Sequence, residues 1–440
     1  MELKEKLASS FLAFENKVDI DTTSKVHDIR TEAFGAFESK GFPTKKDEEW
    51  KYTSLNAVLK HDYNVFPKAI PTLAYEQVKK FLLNETDCYN LIFIDGVFSS
   101  FLSETTHDGL DVCVMSAALE KPKYKMVIDT YFNQLANKNN SLSDLNTAFS
   151  NEGAYIQIPK NTVVPKPVQI VNFSTGTEKE LLIQPRNLVI VGENAHVQIV
   201  ERHQSLTENN TLTNSVTEIF VKTRGIVDFY KMQNDRASAS LIDSTFVSQK
   251  RDSVASVHTF SFGGNLTRNN LEFYQEGEHC VSHLNGISIL NEKQHVDNHT
   301  LVKHKAPNCE SHEMYKGIYD DRSTGVFNGK VIVEQAAQKI NAFQQNNNII
   351  VGDKASVNTK PQLEIFADDV KCSHGCTIGQ LDESALFYMQ QRGIPKKEAK
   401  ALLMYAFSND ALKDVKIPEL KAQLNKIIAH KLDVKIGFDL

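Results

Sequence analysis

The sequence predicts a mainly β protein whose strand-rich centre lies between two helical regions. From Tyr155 to about Phe366, short runs alternate apolar and polar side chains, which is the pattern of half-buried strands. On either side of this centre, apolar residues recur every three or four positions, as they do along one face of a helix. The chain therefore divides into a mostly helical region over 1–152, a β core over 153–378 and a helical region over 379–440.

The N-terminal region combines helices with one hairpin and one charged loop. Helical periodicity covers residues 2–17, 24–39 and 72–84 and most of 111–151. The segment from Asn90 to Phe98 predicts a hairpin that turns at Asp95-Gly96. The charged stretch from Lys45 to Lys51 holds the only tryptophan, Trp50, and predicts a solvated loop in which Trp50 acts as a hydrophobic plug.

The central strands do not by themselves select one architecture. They are separated by turn signals, and no helical stretch lies between them to cover a sheet face. A sandwich, a barrel and a stacked β-solenoid all fit this pattern. Because the spacing is irregular and gives no clean repeat, periodicity leaves the three open.

Composition restricts the class of protein and its partners. At 440 residues the chain is long enough for two or three domains. The net charge is −6, and Lys and Arg are spread along the chain, so neither nucleic acid nor an anionic membrane is the expected partner. Residues 1–30 contain no apolar stretch typical of a signal peptide, and no segment is long enough to span a bilayer. We therefore expect a soluble, cytoplasmic protein.

The cysteines predict reduced thiols rather than a disulfide framework. There are six of them, with no Cys-x-x-Cys pair and no secretion signal. They are Cys88, Cys113, Cys280, Cys309, Cys372 and Cys376.

Soft metal ligands are concentrated between Lys371 and Glu383, where the strand pattern gives way to helix. In extended chain, Cys372, His374 and Cys376 share one face, on the apolar side of the strand. A rise of about 3.3 Å per residue places the two cysteines about 13 Å apart, too far to bind one ion. Cys372 and His374 could share an ion, but they supply two ligands where four are usual. Either the other ligands come from elsewhere, in this chain or another, or both residues are ordinary core residues.

A second ligand-rich patch contains His295, Asp297 and His299 on one strand face. Its spacing allows adjacent pairs, but not all three residues, to bind one ion, so the patch is either a surface polar ladder or a transient metal site. Asp297 and Asp320-Asp321 are also the nearest approach to the paired carboxylates of a β-helix carbohydrate lyase or hydrolase, the alternative function. The missing secretion signal and the apolar C-terminal helices argue against that alternative.

The sequence contains no evident nucleotide-binding motif. Gly325 and Gly329 precede Lys330, but three residues separate the glycines where the Walker A motif has four. Val331 then follows the lysine where Ser or Thr is required. ATP hydrolysis is therefore not predicted for this chain.

The C-terminal region predicts three short helices. Asp382 and Gly393 suit the two ends of the first, Pro395 begins the second, and Pro418 begins the third. The second helix contains seven consecutive apolar residues and must be covered on more than one side. This apolar surface either packs against the end of the β core or binds a partner protein. The candidate partner-binding residues are Leu386, Leu402, Leu403, Met404, Tyr405 and Phe407.

The chain resembles a known family around its Cys-Ser-His-Gly segment. The matching stretches are Lys360–Gly375, Gly379–Glu383, Leu386–Tyr388 and Arg392–Ile394. They are similar to the SufB/SufD family of iron–sulfur cluster assembly proteins, and Cys372–Gly375 and Glu48–Thr53 resemble its SufD branch. Cys376 departs from the family pattern, which usually has Ala there, so we assign it no role.

The resemblance implies a fold and a non-catalytic role. The fold implied is a right-handed parallel β-helix. The role is that of a scaffold subunit in the SUF complex, with a SufB-like paralogue and a SufC-like ABC ATPase that binds the C-terminal helices. Cys372 and His374 would then contribute ligands at the interface of the SufB-like and SufD-like subunits during cluster assembly and iron acquisition.

The resemblance also bears on cofactors and oligomeric state. It implies a transient iron–sulfur cluster in the complex, no tightly bound metal in the isolated protein, and a homodimer when the protein is isolated. A reduced flavin is a candidate cofactor of the assembled complex.

Overall fold

The computed structural model describes residues 3–18, 25–66, 72–83, 87–106, 110–136, 140–176 and 180–434. Its helices lie before and after the strand-rich centre. They are α1 (Leu3–Val18), α2 (Lys25–Lys40), α3 (Asn56–Leu59), α4 (Tyr75–Val78), α5 (Met115–Glu120), α6 (Pro122–Tyr131), α7 (Ser141–Ala148), α8 (Glu383–Gln391), α9 (Lys396–Asn409) and α10 (Pro418–Lys431).

The strands are numbered in chain order. They are β1 (Tyr89–Ile94), β2 (Val97–Phe98), β3 (Asp111–Val114), β4 (Ala154–Ile158), β5 (Val168–Ser174), β6 (Leu181–Ile183), β7 (Arg186–Val191), β8 (His196–Ser205), β9 (Thr211–Val221), β10 (Ile226–Gln233), β11 (Ala239–Gln249), β12 (Val254–Ser261), β13 (Leu266–Gln275), β14 (Val281–Leu290), β15 (His295–His304), β16 (Glu310–Tyr319), β17 (Thr324–Val333), β18 (Ile340–Ile350), β19 (Ser356–Ile365) and β20 (Val370–Gly379).

From β7 onward, successive strands alternate between two sheets. Sheet one has the order β2-β1-β5-β8-β10-β12-β14-β16-β18-β20, and sheet two has the order β19-β17-β15-β13-β11-β9-β7-β4-β3. Each strand pairs in parallel with the strand one turn later, which gives a solenoid of about eight turns. The predicted mainly β fold with a solenoid core and terminal helices is therefore confirmed.

The irregular spacing seen in the sequence comes from unequal turns. Ser240 pairs with Leu266, 26 residues later, whereas Thr324 pairs with Ser356, 32 residues later. Because the strands stay in register while the connecting loops vary in length, the backbone repeats although the sequence shows no fixed period.

Helices cover the outer face of each sheet, as parallel sheets require. Most helices before β4 pack on sheet two, where Leu7 and Phe37 join one cluster with Leu212, whereas α4 packs on sheet one, where Val78 joins a cluster with Ile92 and Val171. The C-terminal helices pack on sheet one, where Leu420 and Leu424 belong to one cluster with residues of β8 to β16. Of the two alternatives for these helices, packing against the end of the β core is not observed, because α9 and α10 lie along its side.

The N-terminal region also contributes strands to the solenoid. The predicted hairpin forms between β1 and β2, and β1 pairs in parallel with β5. In the C-terminal region, the side chain of Asp382 accepts hydrogen bonds from the backbone N–H groups of Ser384 and Ala385, and Gly393 has a φ of +85°. Both helix-end assignments are confirmed, while the boundaries at 152 and 378 stay predictions. None of the helices described is both long enough and apolar enough to cross a membrane.

A buried ion pair fastens the N-terminal region to the solenoid. Arg186 on β7 donates to Glu218 on β9 over 2.6 Å, and both side chains are fully buried. The Glu218 carboxylate also accepts hydrogen bonds from the backbone N–H groups of Asn133, Leu135 and Ala136, just after α6. One side chain therefore connects a turn of the solenoid to a loop of the N-terminal region.

Replacing Glu218 by Ala should lower the free energy of unfolding by about 3–5 kcal/mol, because it leaves the Arg186 guanidinium buried without its counter-charge. Urea unfolding followed by circular dichroism measures this loss. The matched control is Glu193→Ala, which breaks the half-exposed Arg224–Glu193 pair and should cost less than about 1 kcal/mol. Equal effects of the two changes would contradict the anchoring role.

Candidate functional site

The Cys-Ser-His-Gly segment lies in β20, the last strand of sheet one in the described part of the chain. Cys372, His374 and Cys376 pair in register with Ala342, Gln344 and Asn346 of β18. The strand prediction for this segment is thus confirmed. We call β19 and β20 the open end, because they form the last turn of the solenoid.

The open end leaves its inward-facing side chains accessible. The Sγ atom of Cys376 lies 2.9 Å from the Thr359 hydroxyl oxygen on the opposite sheet, so this face of β20 points into the solenoid. Cys372 is half-buried and packs on the cluster that contains Val331, whereas His374 and Cys376 are exposed. The predicted apolar surroundings therefore hold for Cys372 alone, since no further turn follows to cover the other two. Burial raises the pKa of the Cys372 thiol, so this thiol stays protonated at neutral pH until a metal ion or other electrophile displaces the proton.

Large apolar side chains are exposed around the same end. Phe366 is 65% exposed and Ile378 is 48% exposed, and Phe343 and Ile365 are also accessible. An edge strand with unpaired backbone groups and apolar neighbours is a surface on which another chain can dock.

The second ligand-rich patch lies elsewhere, on the outer face of sheet two. His295, Asp297 and His299 on β15 are covered by the segment Glu48–Thr53, which we call the strap. The Thr53 hydroxyl lies 2.9 Å from His295 Nε2 and donates a hydrogen bond to Asp297. The carboxylate of Glu49 lies 3.1 Å from His299 Nδ1.

The strap buries a charged network. Arg268 donates to Asp297 Oδ2 over 2.6 Å, and Nε2 of His299 lies 3.0 Å from Oδ1 of the same carboxylate. Burial alone would raise the pKa of Asp297, but the charges of Arg268 and His299 outweigh it and hold the pKa well below its usual range. Burial lowers the pKa of His295. The patch is therefore not an exposed ladder, because Asp297 is fully buried and its carboxylate is already paired.

Sequence reasoning located both halves of this network but missed that they meet. Trp50 is buried and stacks under the Arg268 guanidinium at 4.2 Å, which agrees with the predicted plug. Thr53 and Asp297 are 244 residues apart, and no spacing pattern in the sequence links them. The predicted solvated loop with Trp50 as its plug is confirmed, since residues 44–49 are exposed, and the loop also contacts the solenoid.

The carboxylates of the alternative function are not arranged as a pair. Asp297 is buried beneath the strap, whereas Asp320 and Asp321 are exposed in the turn between β16 and β17. Asp321 accepts a hydrogen bond from the backbone N–H of Glu292 in a neighbouring turn. The geometry gives a carbohydrate lyase or hydrolase no support.

The candidate partner-binding residues of the C-terminal region differ in accessibility. Leu386 is buried, and Leu402 and Leu403 are half-buried. Met404, Tyr405 and Phe407 pack against the cluster on sheet one.

The apolar surface most open to a partner lies beside these residues. On α8, Phe387 is 63% exposed and Tyr388 is 59% exposed. Sequence reasoning did not single out this pair, although three consecutive large residues, Leu386, Phe387 and Tyr388, cannot all lie on one face of a helix.

Asp297→Asn should remove a stabilisation that depends on pH. The folded-state pKa of Asp297 lies below its unfolded value of about 3.9, so its ionic contacts stabilise the fold fully above that value and are lost as the pH falls through the folded-state pKa. The unfolding free energy of the variant should therefore fall below that of the unmodified protein at pH 7, and the difference should shrink below about pH 4.

Urea unfolding of both proteins between pH 3 and pH 7 measures this difference. Asp353→Asn, at an exposed turn position, is the matched control and should leave the curve unchanged. A difference that is constant over the whole pH range would contradict the electrostatic role of Asp297.

Comparison with known proteins places the chain in a family. One family model, SUF system FeS cluster assembly, SufBD core domain, matches residues 173–407, and a second, SufBD protein N-terminal region, matches residues 1–170. An iron–sulfur cluster assembly SufBD family protein of Synechocystis is 31% identical over 395 residues, which cover 88% of this chain and 87% of that protein.

Two relatives carry the name of one branch of the family. Iron–sulfur cluster assembly protein SufD of Escherichia coli is 27% identical over 395 residues, covering 89% of this chain and 90% of that protein. SufD of Bacillus subtilis is 25% identical over 326 residues, covering 72% of this chain and 73% of that protein. The matched core includes β20 with Cys372 and His374. The chain therefore belongs to the SufBD family of the SUF iron–sulfur cluster assembly system.

Proposed function

We propose that this protein is a SufD-like scaffold subunit, and that Cys372 and His374 form half of a cluster-assembly site completed by a SufB-like paralogue. The observation that carries the proposal is the position of these two soft donors on an open edge of the solenoid. Together they supply two ligands, whereas iron–sulfur clusters are usually held by four.

The ligand chemistry supports cluster assembly rather than permanent storage. Thiolate and imidazole both bind cluster iron. Adjacent inward positions on a strand are about 6.6 Å apart, which lets both side chains reach one metal centre. A site with half of its ligands on each subunit can be filled when the subunits dock and emptied when they move apart. The cluster is thus a transient cargo of the complex, and Cys372 and His374 hold no tightly bound metal in the isolated subunit.

The free edge of β20 accounts for two modes of association. A SufB-like partner that adds its own edge strand would extend sheet one and bring its ligands to Cys372 and His374. In the isolated protein the same edge pairs with a second copy, and a two-fold axis would make the two edge strands antiparallel. Both associations would bury Phe366 and Ile378.

The scaffold is non-catalytic, and its nucleotide-driven motion comes from a partner. A SufC-like ABC ATPase would bind the C-terminal helices, where Phe387 and Tyr388 offer exposed apolar surface. Because α9 and α10 pack along sheet one, a movement of the bound ATPase would move these helices and the solenoid together as one rigid body. Reduced flavin is the proposed electron source of the assembled complex, which acquires iron and sulfide.

His374→Ala should leave the complex intact and prevent cluster formation, because the exposed imidazole supports little of the fold and is one of two donors. The measurement is anaerobic absorbance and iron and sulfide content of the complex copurified with SufB-like and SufC-like chains. We expect at least a tenfold loss of cluster.

Ser373→Ala is the control, since Ser373 lies on the opposite face of the same strand. It should load iron and sulfide normally. Normal loading by the His374 variant would overturn the assignment of His374 to the site.

Phe387→Asp should prevent copurification with the SufC-like ATPase, because it places a charge in the proposed apolar contact. Phe101→Asp is the matched control: Phe101 is 83% exposed and belongs to the N-terminal region rather than to the C-terminal helices. Pull-down from cells that express all three subunits compares the two variants. Retention of the ATPase by the Phe387 variant would place the contact elsewhere.

A further inference from the structure

We propose that Glu201, His203 and Asp243 bind a divalent first-row metal ion inside the solenoid. Glu201 and His203 occupy adjacent inward positions of β8 in sheet one, and Asp243 faces them from β11 in sheet two. One ligand atom from each residue lies within 4.8 Å of the other two, and all three side chains are buried. This inference does not depend on the proposed function.

Each carboxylate is fixed through one oxygen atom and leaves the other available. Glu201 Oε1 accepts a hydrogen bond from Asn187 over 3.0 Å. Asp243 Oδ1 accepts hydrogen bonds from Lys231 over 2.6 Å and from Thr245 over 3.1 Å. Glu201 Oε2 and Asp243 Oδ2 are buried and have no hydrogen-bond partner.

The imidazole completes a set of three converging atoms. His203 Nε2 is also buried without a hydrogen-bond partner, and it lies 3.6 Å from Glu201 Oε1 and 4.0 Å from Asp243 Oδ2. Atoms that bind one ion at about 2.0–2.2 Å are themselves separated by about 3–4 Å, so an ion can be accommodated with only small side-chain shifts. The Ser215 hydroxyl, also buried and unpartnered on the strand next to Asp243, offers a fourth donor.

An ion pair with Lys231 does not account for this arrangement. Lys231 and Thr245 both donate hydrogen bonds to Oδ1 of Asp243. Oδ2 of the same carboxylate therefore remains free to bind an ion. A buried polar group without a partner destabilises the fold, and one cation would satisfy three such groups at once. Two carboxylates and one imidazole suit Fe²⁺, Mn²⁺, Co²⁺ or Zn²⁺ rather than a soft monovalent ion.

The site is separate from the open end but is not sealed from the surface. A narrow cleft lined by Asn172, Ser174 and Asp235 also includes His203. Six strand steps along sheet one separate β8 from β20. At about 4.8 Å per step this is roughly 29 Å, so the interior ion could not be shared with Cys372 and His374.

The test uses Co²⁺ as the probe in full-length protein. The chain carries Cys372→Ala and His374→Ala, so that the open end supplies no ligands from those two positions. It is expressed in cobalt-supplemented medium, freed of loosely bound metal with a chelator, and crystallised. We expect one Co²⁺ per chain by elemental analysis, with its anomalous scattering peak between Glu201, His203 and Asp243.

Variants then identify the ligands. Glu201→Gln keeps the acceptor for Asn187 but removes the charge, and it should lower retained Co²⁺ at least tenfold, as should His203→Gln. Glu313→Gln is the matched control, since Glu313 is a buried inward-facing carboxyl group of another turn.

Circular dichroism confirms that each variant folds. If a variant does not fold, the anomalous map of the Cys372→Ala/His374→Ala protein decides the question. Absence of a peak at this position, or equal cobalt in the Glu201, His203 and Glu313 variants, would overturn the proposal.

Discussion

Parallel backbone pairing between successive turns is the constraint on which the rest of this structure depends. Each strand from β8 to β18 is hydrogen-bonded to the strand before it and the strand after it in its own sheet. Such a stack must begin and end somewhere, and its end strands expose unpaired backbone groups. The two ends of this solenoid differ. At the first, the short strand β2 and the strand β3 pair antiparallel with β1 and β4, whereas at the last, β19 and β20 close no further turn.

Because β19 and β20 form the last turn in the described part of the chain, side-chain positions that are buried in the inner turns are accessible there. Glu313, Gln344 and His374 follow one another in register through β16, β18 and β20. In the inner turns this column is buried, and Gln344 donates a hydrogen bond to Glu313 over 2.7 Å. Burial raises the pKa of Glu313 to about 7, so no full negative charge is enclosed there at neutral pH. His374 continues the column in the last described turn. A position that is buried in the inner turns is therefore exposed here.

The sequence allowed the strand-rich core and the ligand strand to be predicted from local patterns, whereas the choice of a solenoid among the β architectures came from the family resemblance. Alternation of side chains correctly placed Cys372, His374 and Cys376 on one face, and capping chemistry correctly placed Asp382 and Gly393 at the ends of α8. The degree of burial was beyond this reasoning, since it depends on whether another turn follows β20. The contact between Thr53 and Asp297, and the inward convergence of Glu201 and Asp243 from opposite sheets, depend on the lengths of many intervening loops. No local pattern encodes such distances.

The strengths of the strap's contacts decide which of them hold it against the solenoid. Glu48 pairs with Lys360 of β19 over 2.6 Å, a contact that joins the strap to the last turn. Both side chains are exposed, so water and salt screen the pair and it contributes little to stability. The strap also contacts two buried charged side chains of the solenoid: Arg268 donates a hydrogen bond to the Glu49 backbone carbonyl over 2.7 Å, and the Thr53 hydroxyl donates one to Asp297. Hydrogen bonds to charged groups contribute about 1.5–3 kcal/mol each. The strap is therefore anchored at β13 and β15, and its hold on the open end is weak, which leaves the last turn free to adjust in the docking proposed above.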